Sequence, residues 1–193
     1  MVIGAVPAVA ACSDSDHSGM GSSSGSAIGS AADGPASADQ AKVNEADVSF
    51  TQGMIPHHQQ AVEMADLALD PVHAVGASVI DLATRVKAGQ DPEIALMTGW
   101  LEDWGQPMEM SDGAMATMEG MMSDEDIEAL AAANGADFDR LWLGMMSEHH
   151  QGAIATAERE EDEGTNPDVI ALAGEIIAAQ QAELAEMQSL LDG

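Results

Sequence analysis

Met54-Ile55-Pro56-His57-His58-Gln59-Gln60-Ala61-Val62-Glu63-Met64-Ala65 has a second copy in Met146-Ser147-Glu148-His149-His150-Gln151-Gly152-Ala153-Ile154-Ala155-Thr156-Ala157, where His149 lies 92 positions after His57. Chance does not produce two Met-x-x-His-His-Gln-x-Ala cassettes in one chain of 193 residues. Four of the six histidines sit in them, each three or four residues after a methionine, a spacing that puts side chains on one face of a helix. Thioether sulfur beside imidazole is a donor set for a soft metal, copper first. Met54, His57, Ala61 and Met64 follow a/d spacing, as do Met146, His149, Ala153 and Thr156, and each alanine leaves room beside a histidine. Adjacent residues on a helix point about 100° apart. One histidine of each pair is therefore expected to face inward with the methionines, and the other toward a neighbouring helix or solvent.

A second match follows each cassette. Leu82, Ala83, Val86, Gln90, Glu93, Ile94 and Met97 recur 90 positions later as Leu172, Ala173, Ile176, Gln180, Glu183, Leu184 and Met187. The repeating unit is thus a helical hairpin, and the chain holds two. A lone hairpin cannot bury its apolar stripe, so the expected fold is all-α, an antiparallel four-helix bundle. Residues 44–105 form repeat one, 106–135 the connector and 136–193 repeat two. The first helix is expected from about Asn44 to Leu69, with Pro56 kinking or starting it. Asp70-Pro71 makes a turn, and the second helix follows from about Val72 to Asp103. Ser123 with Asp126 forms a capping box for a short helix ending near Ala133. The third long helix runs from about Asp137 to Glu163, Gly164 stops it, and Asn166-Pro167 opens the last.

Aromatic residues make up only 3% of the chain and tyrosine is absent, so the core must be built from Ala, Leu, Ile, Val and Met. The 34 acidic residues against 5 basic ones give a formal charge of −29. Such a surface repels nucleic acid and anionic headgroups, which excludes them as partners. No run of about 20 apolar residues spans a membrane. Membrane contact is expected through another device: Val9-Ala10-Ala11-Cys12 resembles a bacterial lipobox, with Cys12 the lipidated residue. Residues 1–12 are then a signal and lipobox segment. Residues 13–43, rich in Ser, Gly, Ala and Asp, form a polar tether to the bundle domain at 44–193. The apolar run has no basic segment ahead of it and is short for a signal peptide, which leaves the translation start open.

Met108, Met110, Met115, Met118, Met121 and Met122 fall within fifteen residues of the connector, without Leu, Ile or Val between them. Methionine in ordinary helices is core filler. Here its apolar company is missing, which favours thioether ligands for Cu(I) or Ag(I). A di-iron carboxylate site would need Glu-x-x-His on two helices, but Met54 and Met146 occupy the glutamate positions ahead of His57 and His149. Glu93, Glu183, Gln90 and Gln180 are expected behind the imidazoles rather than as the main ligands. His73 has no counterpart in the second repeat and is read as a surface residue. With an ordinary imidazole pKa near 6.5, metal held by His57, His58, His149 and His150 is expected to weaken steeply from about pH 7 to 5.

The segments MIPHHQQAVEMA (54–65), FDRLWLGMMSEHHQGAIATA (138–157), QDPEIALMTGWLEDWG (90–105) and GMMSDEDIEAL (120–130) together resemble the family called domain of unknown function 305, over roughly Asp47 to Leu191. The resemblance implies a ferritin-like four-helix domain, usually exported, with some members tied to copper binding and resistance. It also implies a role for Met54, His57, His58, Met146, His149 and His150 as the matching positions. Thr156 departs from the pattern, since the family often has methionine there as at Met64, which implies unequal half-sites.

The resulting expectation is an exported bacterial protein, lipid-anchored on the outer face of the cytoplasmic membrane. It would bind copper, Cu(I) ahead of Cu(II), as a buffer or chaperone serving another copper-handling protein. No nucleophile and base pair recurs, so catalysis is not indicated. A ferritin-like oxidase and a metal-free interaction bundle are the alternatives that the residues leave open.

Overall fold

The computed structural model describes residues 42–110 and 119–193. Cys12, most of the tether, Met115 and Met118 lie outside them. The described residues contain five α-helices, one 3-10 turn and no strand.

Helix α1 (Glu45–Leu69) starts at a reciprocal cap, in which Asp47 N donates to Asn44 Oδ1 at 2.9 Å and Asn44 N donates to Asp47 Oδ2 at 2.6 Å. Pro56 lies well inside α1 and does not start it. The chain then makes a 3-10 turn over Pro71–His73, and Ala74 takes a left-handed conformation with φ 50°. Helix α2 (Ala77–Trp104) therefore begins at Ala77 and not near Val72, because Ala74 interrupts the helical path and Gly76 is the cap. The Gly76 N–H donates across the molecule to Asp139, at 3.0 Å to Oδ1 and 3.2 Å to Oδ2.

His73 corrects the reading of it as a surface residue. It is 6% exposed, its Nδ1 lies 3.0 Å from the Ala133 carbonyl oxygen, and its ring stacks on Phe138 at 4.9 Å between centroids. Its asymmetry between the repeats reflects a structural post under the loop ahead of α2. Helix α3 (Asp124–Ala132) has the expected Ser123–Asp126 capping box. Helices α4 (Gly135–Glu163) and α5 (Pro167–Asp192) are separated by a short turn, with Asn166 capping α5 and Pro167 at its first position.

α1 packs against α2, α4 against α5, and α1 against α4. All four long helices contribute to two apolar clusters. One gathers Ala61, Met64, Leu82, Val86, Trp142, Met146 and Met187. The other gathers Phe50, Met54, Met97, Leu101, Ala157 and Ile176. The buried Trp142 indole donates to the Met64 carbonyl at 2.9 Å and pins α4 to α1. No described helix is long and apolar enough to cross a membrane.

At the end of the second cluster lies a buried carboxyl pair. Asp47 is fully buried; Thr165 N (3.0 Å) and Asn166 N (2.9 Å) donate to its Oδ1, and Thr165 Oγ1 (3.1 Å) to its Oδ2. Burial alone would raise its pKa, but these N–H groups, with Asn44 N and the Glu160 side chain, hold it below the ordinary aspartate value. Glu160 beside it is 2% exposed and is pushed up to about 8 by burial first and then by Asp47. At neutral pH Glu160 is the protonated member of the pair, and neither of its own carboxyl oxygens has a hydrogen-bond partner of good geometry.

Candidate metal centre

The two cassettes meet at the α1–α4 interface, in a polar layer that divides the two apolar clusters. Met54, His57, Ala61 and Met64 on α1 are completely buried, as are Met146, His149 and Ala153 on α4. Thr156 is half-buried, and its hydroxyl accepts from Arg159. The rings of His57 and His149 face each other with centroids 3.8 Å apart and planes inclined by 40°. The second histidine of each pair turns to the next helix: His58 Nε2 lies 2.7 Å from Glu93 Oε2 on α2, and His150 Nε2 lies 2.7 Å from Glu183 Oε2 on α5. Of the two directions open to these outer rings, the neighbouring helix is the one taken, since all four histidines are 0% exposed. Gln90 and Gln180 are buried one turn before the glutamates, and the Oε1 of each accepts no hydrogen bond.

Both ring nitrogens of His57 and of His149, and Nδ1 of His58 and of His150, are buried without a hydrogen-bond partner. Native cores satisfy such groups almost without exception, and each orphan costs about 1–3 kcal/mol. Six of them in one layer mark a place built to take something. Among the described residues no three side chains drawn from His, Cys, Asp and Glu form a ready-made cage. Glu93 and Glu183, which a di-iron site would require, are already committed to His58 and His150. Sulfur remains to complete a shell, with Met54 and Met97 in the cluster on one side of the layer and Met64, Met146 and Met187 in the cluster on the other. That donor set fits a soft monovalent ion.

Burial, with smaller repulsion from His58 and His150, lowers His57 to about 3. Burial, with repulsion from His57, His150 and His58, likewise holds His149 well below the ordinary value. Both rings are neutral throughout the physiological range, ready to donate a lone pair with no proton to displace. This overturns the expected loss of affinity between pH 7 and 5 for these two residues: the sequence-based estimate used a solvated imidazole, whereas these are in the core.

The connector reaches the same layer. Gln60 Nε2 donates to the Met122 carbonyl at 2.9 Å and Met122 N donates to Gln60 Oε1 at 2.7 Å, so one side chain holds the backbone at both ends of one residue. Met110, Met121 and Met122 are half-buried and Met122 packs on the first cluster, whereas Met108 is exposed. The sequence reading missed Met97 and Met187 as buried sulfur in the two clusters, although their recurrence was its signal. It also missed Gln60 and Gly152, which occupy one cassette position but differ in type.

The sequence profile of the domain of unknown function DUF305 matches residues 47–191. The chain belongs to this family. Among solved structures, a DUF305 protein from Streptomyces coelicolor described as secreted is 30% identical, with a TM-score of 0.70 over 76% of this chain and 92% of its own. A DUF305 fragment from Deinococcus radiodurans has the same identity and TM-score, over 78% of this chain and 97% of that one. CopM in its Cu(I)-bound form is 30% identical, with a TM-score of 0.64 over 76% and 95%. CopM is also known in Cu(II)-bound, Ag-bound and apo forms. No curated protein matches the chain. This DUF305 domain thus shares its all-helical fold with relatives of which one binds copper.

Proposed function

We propose that this DUF305 protein binds copper, as Cu(I), and acts as an extracytoplasmic buffer or delivery protein for it. The observation that carries the reading is the layer of six unpartnered imidazole nitrogens, set between buried methionines and flanked by nothing harder than two carboxylates already in use. His57 and His149 supply nitrogen across the interface, and Met54, Met64 and Met146 supply sulfur. His58 and His150 are held in one tautomer by Glu93 and Glu183, the arrangement that orients a ligating imidazole. The two hairpins close as an antiparallel four-helix bundle around this layer. Met108, Met110, Met115, Met118, Met121 and Met122 collect Cu(I) or Ag(I) on the connector and pass it inward, and a second copper-handling protein is the natural recipient.

Parallel anaerobic loading with Cu(I), Cu(II), Fe(II) and Zn(II), followed by metal analysis, tests this. Cu(I) is expected to be retained after desalting at near-stoichiometric level. Retention of an iron pair, or of no metal, would put the oxidase or interaction-bundle reading in its place. Metal-free protein is expected to give the full helical signal of the domain by circular dichroism, because the two apolar clusters drawn from all four long helices bury the surface that drives folding; copper then stabilises by mass action only. A coil-like spectrum that becomes helical on copper addition would contradict that.

We further propose that Cys12 is lipidated and ties the domain to the outer face of the cytoplasmic membrane. The supporting features are the small residues before Cys12 and the polar stretch behind it. Cys12→Ala is expected to move the protein from the membrane fraction to the soluble one. Unchanged fractionation would remove the anchor from the picture.

A further inference from the structure

Gln60 and Gly152 are the same position in the two cassettes, each three residues after the inner histidine and so on its face of the helix. Elsewhere in the layer the repeats agree; here one has a long amide and the other no side chain. Both meet the short backbone stretch Glu119–Met122. Gln60 grips Met122 through its N–H and C=O. On the other side, a Cβ at Gly152 would fall on the Glu119 carbonyl group, so only glycine lets the chain pass this close to α4. Gly120 has φ 80°, and a Cβ there would stand 2.8 Å from the Glu148 carbonyl oxygen and 3.0 Å from that of His149. The Glu119 carbonyl faces the His57 ring without hydrogen-bond geometry. The stretch therefore lies directly on the histidine layer, anchored at one cassette and given clearance at the other.

We propose that Gln60 and Gly152 are positioning residues that seat Glu119–Met122 as a removable strap over His57 and His149, and that its release is the path by which copper enters and leaves. This rests on the copper reading above. Both rings are 0% exposed, so something must move before a metal reaches them. The strap is the cheapest part to move: its described side-chain hydrogen bonds are the two to Gln60, whereas α1 and α4 are held by helical backbone ladders, broken in α1 only by the missing N–H of Pro56, and by Trp142. The competing route runs past the half-buried carboxylates of Glu93 and Glu183 on the α2 and α5 sides.

The test uses full-length protein and two readouts. Without metal, histidine modification by diethyl pyrocarbonate is followed residue by residue by mass spectrometry in the parent, Gln60→Ala, Gln60→Glu and Gly152→Ala. Labelling of His57 and His149 is expected to speed up about tenfold in Gln60→Ala, toward the low end of what losing both hydrogen bonds to Met122 represents, and by a similar factor in Gly152→Ala, where the added methyl displaces the Glu119 carbonyl. Gln60→Glu, which keeps the acceptor for Met122 N, is expected between them and the parent. His73, buried under the α2 loop away from the strap, is the control. Equal acceleration at His73, or none at His57 and His149, overturns the proposal. With Cu(I) loaded, transfer to a chelator is expected to quicken by a similar factor while equilibrium affinity stays within about threefold. Transfer that responds to Glu93→Gln and Glu183→Gln but not to Gln60→Ala places the path on the other side. A parent that binds no copper refutes the copper reading, and the labelling comparison still decides whether the strap covers the layer.

Discussion

Replacing both His57 and His149 by leucine is expected to abolish copper retention and, in the metal-free state, to make the protein harder to unfold at acidic pH. On the copper reading proposed above, retention is lost because the two facing nitrogens disappear together; a partner behind a ligand already costs 10–100-fold, and removing ligands themselves would cost more. Stability rises because four orphaned ring nitrogens leave the core at the same time. Apolar side chains of similar size where polar ones lacked partners are neutral to stabilising, here by about 2 kcal/mol or more. The pH dependence follows from the same burial. The folded-state pKa of His57 is depressed to about 3 and that of His149 is well below normal, so between pH 6.5 and about 4.5 the unfolded chain takes up protons that the folded one refuses. Stability is fully present above the unfolded value and falls with pH below it, by up to about 1.4 kcal/mol per unit for each ring. The leucine variant lacks this acid limb. Urea titrations of both proteins at pH 5 and pH 7 measure it. A variant less stable than the metal-free parent at both values would make the histidines ordinary structural residues.

Glu160→Gln is expected to remove a loss of stability on the alkaline side. In the parent, Glu160 keeps its proton when folded up to about pH 8 but loses it near 4.5 when unfolded. A raised acid pKa stabilises below the unfolded value and is lost as pH climbs toward the folded one. From pH 6.5, where the histidine limb has levelled off, to pH 8 the loss is about 2 kcal/mol. Glutamine has the shape and neutrality of protonated Glu160 and has no proton to lose, so its curve over that range should be flat. The parent should therefore be most stable near pH 6.5, with each variant removing one flank. A parent whose stability holds constant from pH 6.5 to 8.5 would show that Glu160 ionises freely and that the pair is not sealed.

The repeat made the helices legible, because a 92-residue shift of the cassettes and a 90-residue shift of their partners identify two hairpins without any structure. The capping pair Ser123–Asp126 and the Asn166-Pro167 start were equally readable, since caps act within four residues. What the sequence hid depended on long-range contact. His73 looks like a lone polar residue until Phe138 and Ala133, some sixty positions on, close over it. The depressed values at His57 and His149 exist only because two helices distant in sequence exclude water from the same point. Asp47 and Glu160 are separated by more than a hundred residues, and nothing local marks either as one half of a buried carboxyl pair. Gly152 read as a variable cassette position, and only the backbone lying on it explains the absence of a side chain.

With tyrosine absent, the light-absorbing residues of consequence are three tryptophans, and the fold sorts them. Trp142 is sealed in the cluster beside Met64 and Met146, its indole bonded to the Met64 carbonyl. Trp100 and Trp104 stack on each other at 6.1 Å along the edge of the other cluster. The molecule thus has a built-in pair of optical channels: a buried, blue-shifted emitter one turn from Met146, and a wetter, red-shifted pair near the far end of the helices. Quenching by bound copper should be strongest in the blue channel, and Trp142→Phe would leave the red one to report on the second cluster alone.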